Sequence, residues 1–168
     1  MSAPPVPLGA EARLVLREEE LDAALEQFLL AEAALAAAAD AALEGEPNGL
    51  GRGHWRAAFL LKRRPGIGVQ ELSRLTGLSK QGASRVLRDL ERCGYVDKQP
   101  GEEDARRRPA VLTQSGAVFE HRVAERLRAA LTRAYRTGGL DAVPGARRIL
   151  TALAGSKLAA RSGEGFRR

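Results

Sequence analysis

Residues 71–98 read ELSRLTGLSKQGASRVLRDLERCGYVDK. A short helix from about Val69 to Thr76 turns Leu72 and Leu75 inward, and Gly77 supplies its stop. Ser79 is a good N-cap for a second helix that runs to about Arg92 or Cys93. The tight Gly77-Leu78-Ser79 connection makes the pair a helix-turn-helix. Gly94 ends the second helix, and Tyr95-Val96-Asp97-Lys98 alternates as a short strand. QPGEEDARRRP (99–109) is a charged loop, and Ala110-Val111-Leu112 returns as a strand. A hairpin directly behind a helix-turn-helix gives a winged helix-turn-helix.

The second helix carries the functional argument. At about 100° per residue, Lys80, Gln81, Ser84, Arg85 and Arg88 fall within about 0–140° of one another. Ala83, Val86, Leu87 and Leu90 fall on the other side, at about 240–340°. One face packs; the other offers donors that suit phosphates and base edges. Arg bridges guanine O6 and N7, and Gln pairs with adenine. The free amides at the start of the helix, beside Ser79, favour a phosphate. Gly82 weakens the helix by about 1 kcal/mol against Ala. Either a close approach to DNA backbone or to the preceding helix explains it, or the helix tolerates it. In the wing, Arg106, Arg107 and Arg108 sit on a turn between strands, where a basic tip can enter a narrow minor groove. Asp104 stands where it can orient Arg106 through a charge-assisted hydrogen bond. Arg88, Lys98 and Arg108 are expected to contact or steer toward phosphate.

Outward from this module, the chain of 168 residues is strongly helical in composition, with 4% aromatics and a formal charge of +6. Residues 1–50 set Arg13 and Arg17 against ten acids, a net of −8, and residues 51–168 set 25 bases against 11 acids, a net of +14. Either a self-attracting pair of surfaces or an acidic helical arm ahead of a basic nucleic-acid module accounts for this division. Pro4, Pro5, Pro7 and Gly9 mark residues 1–15 as a disordered tail. A long helix spans about Glu18 to Leu43, with Leu21, Leu25, Phe28, Leu35 and Leu43 on one face and nine alanines among residues 31–42. Residues 45–53 form a loop, and a second helix runs from about Gly53 to Arg63, with His54 and Trp55 at its start and Trp55, Ala58 and Phe59 toward its apolar side. Thr113 caps a long helix from about Gln114 to Arg136, whose Val123, Leu127, Ala130 and Ala134 mark one face; Gly138-Gly139 breaks it. A last helix covers about Asp141 to Ala154, and residues 155–168 form a flexible basic tail. The small winged module cannot cover all of these apolar faces, so a homodimer is expected to bury them.

ELSRLTGLSKQGASRVLRDLERCGYVDK followed by DARRRPAVLTQSG resembles the MarR family of bacterial transcriptional regulators. The resemblance rests on the Ser-initiated second helix, Leu90-Glu91, Gly94-Tyr95-Val96, Asp104-Ala105-Arg106, and Leu112-Thr113-Gln114-Ser115-Gly116, in this order and spacing. With the flanking helices it extends over roughly residues 16–154. It implies a cytoplasmic homodimer, N- and C-terminal helices interlocked (16–48 and 114–154), with winged modules (49–113) below them. It also implies binding to an inverted-repeat operator in double-stranded DNA, usually as a repressor, and release on binding a small ligand or on cysteine oxidation. The expected fold class is therefore mostly α with a small β-hairpin wing, the winged helix-turn-helix flanked by dimerisation helices.

His54 and Trp55 are candidates for a ligand crevice, against a plain packing role. Cys93, the one thiol, is a candidate redox sensor, against a small packed residue at a helix exit. His121 reads as surface or interface. There is no Ser/His/Asp set, no phosphate-cradling Gly loop followed by Lys-Ser/Thr and no metal-ligand spacing, so neither an enzyme, a metal nor a cofactor is expected. No apolar run approaches the roughly 20 residues of a membrane span, and the start lacks the basic-then-apolar pattern of a signal peptide. A winged-helix protein–protein adaptor, its basic faces docked on an acidic partner, is the competing function.

Overall fold

The computed structural model describes residues 17–46, 49–98 and 109–155. The expected tails, apart from the residues at their inner edges, and the wing loop 99–108 lie outside the described residues. The elements run α1 (Glu18–Leu43), α2 (Arg52–Arg63), α3 (Val69–Thr76), α4 (Lys80–Arg92), β1 (Val96–Lys98), β2 (Ala110–Leu112), α5 (Gln114–Gly138) and α6 (Ala142–Ala154). The chain divides into two compact units within α1, after Ala34. The first holds the leading part of α1, where Leu21, Leu25, Phe28, Leu29 and Leu30 are all exposed. The second holds everything from Leu35 onward.

The core of the second unit forms around α2. Ala57, Ala58 and Leu61 are buried on α2 and meet α3, α4, β2 and α5. Alanines hold this inner side because they let neighbouring helices come close. Trp55 and Phe59, expected toward the apolar side, are half-buried at its rim, with ring centroids 5.5 Å apart. Leu72, Ala83, Leu90, Val96, Ala110, Phe119 and Val123 complete the core, with Ala39 and Leu43 from the end of α1. Along α5 the expected apolar stripe fades: Val123 and Leu127 are buried, Ala130 half-buried and Ala134 exposed.

The turn between α3 and α4 is short because its polar groups are satisfied locally. Gly77 takes φ +76° as C-cap, and the Ser73 hydroxyl donates to the Leu78 carbonyl at 2.7 Å. At the far end of α4, Gly94 takes φ +71° and the Tyr95 N–H donates to the Leu90 carbonyl at 2.9 Å, which turns the chain into the hairpin. β1 and β2 pair antiparallel, Val96 opposite Leu112 and Lys98 opposite Ala110. Tyr95 falls just outside the strand, its N–H turned back to the Leu90 carbonyl, and its ring stacks on Phe119 with centroids 5.0 Å apart.

Thr113 fastens α5 to this hairpin. Its N–H donates to the Tyr95 carbonyl at 3.1 Å, and its hydroxyl donates to the Gly94 carbonyl at 2.7 Å while accepting from the Gly116 N–H at 3.0 Å. The hydroxyl thus caps α5 and ties it to the exit of α4. The approach is so close that a Cβ on Gly116 would lie 2.0 Å from the Tyr95 carbonyl oxygen. α5 runs through Gly138 before Gly139, at φ +86°, ends it. α6 carries Pro144 in its first turn, where no intrahelical N–H is required, and buries none of its residues. Because backbone cannot yield as a side-chain tip does, Gly116→Ala is expected to destabilise the protein by about 3 kcal/mol. Urea unfolding should show a lowered midpoint with an unchanged slope.

Candidate nucleic-acid interface

The sequence places donors on one side of α4, and the core holds the other. Ala83, Val86, Leu87 and Leu90 are buried, while Lys80, Gln81, Arg85 and Arg88 are exposed and Ser84 is half-buried. The helix therefore cannot rotate to bring its apolar face outward without losing core contacts, so its polar face is fixed in direction. The Ser79 hydroxyl accepts from the Gly82 N–H at 3.0 Å, leaving the first two amides, those of Lys80 and Gln81, available at the positive end of the helix. Gly82 has a local reason: a Cβ there would approach the Ser79 Oγ at 3.2 Å and the Leu78 Cβ at 3.7 Å. Arg88 lies back along the helix, its Nε donating to the Ser84 carbonyl at 3.4 Å.

Asp89 organises the edge of this face, and sequence reasoning missed it. Its carboxylate accepts from Arg92 at 3.1 Å and lies 3.9 Å from the Arg85 guanidinium, one helical turn away. Across the core it meets His54 Nε2 at 3.4 Å. His54 Nδ1 accepts from the Gly51 N–H at 3.0 Å, so the neutral ring carries its hydrogen on Nε2, toward Asp89. His54 and Trp55, expected at the start of the second helix, lie inside its first turns. His54 thus ties the start of α2 to α4. Trp55 lines a hollow of about 240 Å³ with Arg56, Phe59, Leu60, Leu75 and Thr76, and its buried Nε1 has no hydrogen-bond partner among the described residues. Cys93 is the half-buried C-cap of α4, packed against the core. With one cysteine in the chain, no internal disulfide can form.

Of the expected wing residues, Asp104, Arg106, Arg107 and Arg108 lie outside the described residues. β1 and β2 bring the two ends of their loop side by side, and Lys98 closes β1. His121 is exposed on α5. A second feature missed in the sequence is Glu120, wholly buried on α5 and ion-paired with Lys62 of α2. Its phase was a usable signal, since Gly116, Phe119, Val123, Ala124 and Leu127 fall on the same side of α5. Among the described residues there is no group of acidic, His and Cys side chains able to hold a metal ion, and no helix long and apolar enough to cross a membrane.

A model of the MarR family matches residues 48–107, a stretch that holds α2, the helix-turn-helix and β1 and ends before β2. Over 145 residues the chain is 37% identical to the HTH-type transcriptional regulator PetP of Rhodobacter capsulatus, covering 86% of each protein. The chain belongs to the MarR family of transcription regulators. Its fold agrees. The Mycobacterium tuberculosis MarR family protein RV2887, solved in complex with salicylic acid, superposes with a TM-score of 0.59 at 27% identity, covering 82% of this chain and 96% of that one. CouR of Rhodococcus jostii RHA1, solved with p-coumaroyl-CoA, gives a TM-score of 0.64 at 22% identity over 77% of this chain and 92% of its own. The winged helix-turn-helix expected from residues 71–116 is thus the fold of a transcription regulator, and members of this family are not enzymes.

In this MarR-family protein the Ser79 cap is the part of the interface whose structural role separates from any DNA contact. Ser79→Ala should cost about 1 kcal/mol of stability, and Ser79→Gly only a few tenths, about 0.3 kcal/mol. Chemical denaturation of both variants reads this without DNA.

Proposed function

We propose that this MarR-family regulator acts as a homodimer on an inverted-repeat operator, reading the major groove with α4 and the minor groove with the wing. The observation that carries the reading is the division of α4, whose apolar side is locked in the core and whose exposed side bears Lys80, Gln81, Arg85 and Arg88 with two free amides at its start. Ser84 sits among the readers. Arg106 and Arg107 enter the minor groove, Asp104 orients one of them, and Arg88, Lys98 and Arg108 meet phosphate. In this organisation residues 49–113 form the DNA-binding module, and residues 16–48 and 114–154 the dimerisation helices.

Supporting the dimer, α6 buries no side chain, and Leu140, Ile149, Leu150 and Leu153 are exposed at this end of the chain, as are Leu131 and Tyr135 on α5. In the separate leading part of α1, Leu21, Leu25, Phe28, Leu29 and Leu30 are likewise exposed. A small-molecule effector is part of the proposal, supported by the salicylic acid complex of RV2887. Trp55, whose indole N–H lies beside a small hollow without a partner among the described residues, is the residue we assign to that effector, with His54 next to it.

Fluorescence anisotropy with the DNA upstream of its own gene, against scrambled DNA across a salt series, tests the reading. The native fragment should bind tightly with one dimer, and scrambled DNA weakly with a steep salt dependence. Arg106→Ala should weaken specific binding by at least about 1 kcal/mol and reduce the salt slope by about one. An unchanged affinity and slope would remove the wing from the interface.

A further inference from the structure

The side of α5 that faces the core carries Phe119, Glu120, Val123, Ala124 and Leu127, all buried. Glu120 alone among them is charged. Its side chain is 1% exposed, while that of its partner Lys62, in the last turn of α2, is 42% exposed. Arg128 approaches the same carboxylate at 3.8 Å. The pair thus sinks its carboxylate and leaves its cation at the water boundary.

Stability alone does not call for this. Removing a carboxylate from water costs more than burying a hydrocarbon of the same size, and a buried ion pair is often replaceable by apolar residues with no loss. What an ion pair adds is direction. Phe119, Val123 and Leu127 would tolerate a small roll or slide of α5, because apolar contact has no preferred angle. The pair from Glu120 to Lys62 of α2 resists both movements. The position matters because α5 is a lever: α2 packs against α3 and α4 at one end, and the exposed Leu131 and Tyr135 lie at the other. From Glu120 to Tyr135 the helix extends about 22 Å. A tilt of about 10° at the anchor displaces the far end by about 4 Å, close to the rise of about 3.4 Å between base pairs.

We propose that the Glu120–Lys62 pair is a positioning element that, beyond the anchored first turn, sets the angle of α5 on the winged module and thereby the spacing of the two half-sites this regulator accepts. The proposal rests on the dimeric DNA-binding reading above. Its test uses the full-length protein and duplexes made from the inverted repeat footprinted in the upstream fragment, with the half-site separation changed by one or two base pairs. Three proteins are compared: wild type, Glu120→Gln, and the double variant Lys62→Met with Glu120→Leu, which replaces the pair by apolar groups. Melting temperature, sedimentation and affinity for a single half-site are measured alongside.

Wild type should prefer the native spacing by about tenfold or more. The double variant should keep its melting temperature, its dimer and its half-site affinity, yet show a preference reduced to about threefold or less, or a displaced optimum. Glu120→Gln should move the same way and serves if the double variant fails to fold. A preference unchanged in magnitude and optimum in a folded variant overturns the positioning role while leaving the dimeric reading intact. No spacing preference in wild type overturns the dimeric reading and this proposal with it.

Discussion

The N–H of Thr113 on the Tyr95 carbonyl, with the bare α-carbon of Gly116 pressed against that same oxygen, is the contact on which the arrangement of elements depends. It joins three things that are separate in the chain: the exit of α4 at Gly94, the base of the hairpin, and the first turn of α5. One hydroxyl caps α5 and holds the Gly94 carbonyl, so the start of the long helix is fastened to the end of α4. The stacked rings of Tyr95 and Phe119 cover the same junction with apolar area. Leu-Thr-x-x-Gly and Gly-Tyr-Val, which mark the family in the sequence, are therefore the two halves of one packed contact.

From that junction the module distributes its chemistry by burial. α4 can present cations and amides to an anionic partner because its other face is committed to the core. Asp89 limits what those cations do. It lies beside Arg85 and Arg92 and is itself held by His54, so the edge of the polar face is tied to the start of α2. An exposed ion pair contributes little to stability. Its use here is geometric, restricting where a long side chain spends its time. In the proposal above, the buried carboxylate of Glu120 does the same kind of work on a larger element, the helix that leaves the module.

Much of this was legible without coordinates. The helix-turn-helix, both caps, the Gly94 exit and the strand pair were readable because each depends on neighbours within one or two turns of chain. The polar and apolar halves of α4 followed from a period of about 3.6 residues. Small differences arose where tertiary contact outweighed pattern. α2 turned its alanines inward and left Trp55 and Phe59 at the rim, since close helix packing selects small residues over large apolar ones. The apolar stripe of α5 continued in the sequence but lost its cover beyond Leu127.

The sequence by itself determined the family, the order of the elements and the two-sided composition of α4, because these rest on local propensity, capping and periodicity. Only the tertiary structure decided which charges are buried and with whom. Glu120 meets a lysine 58 positions away, and His54 meets an aspartate 35 positions away. Nothing in either residue's neighbours along the chain names its partner. Such pairings are fixed only when helices dock, since the cost of desolvating a charge and the geometry of its partner exist only in the packed state. The same holds for Gly116: its identity was visible in the motif, and its reason, a carbonyl oxygen with no room for a side chain, lies 21 residues away, across the hairpin.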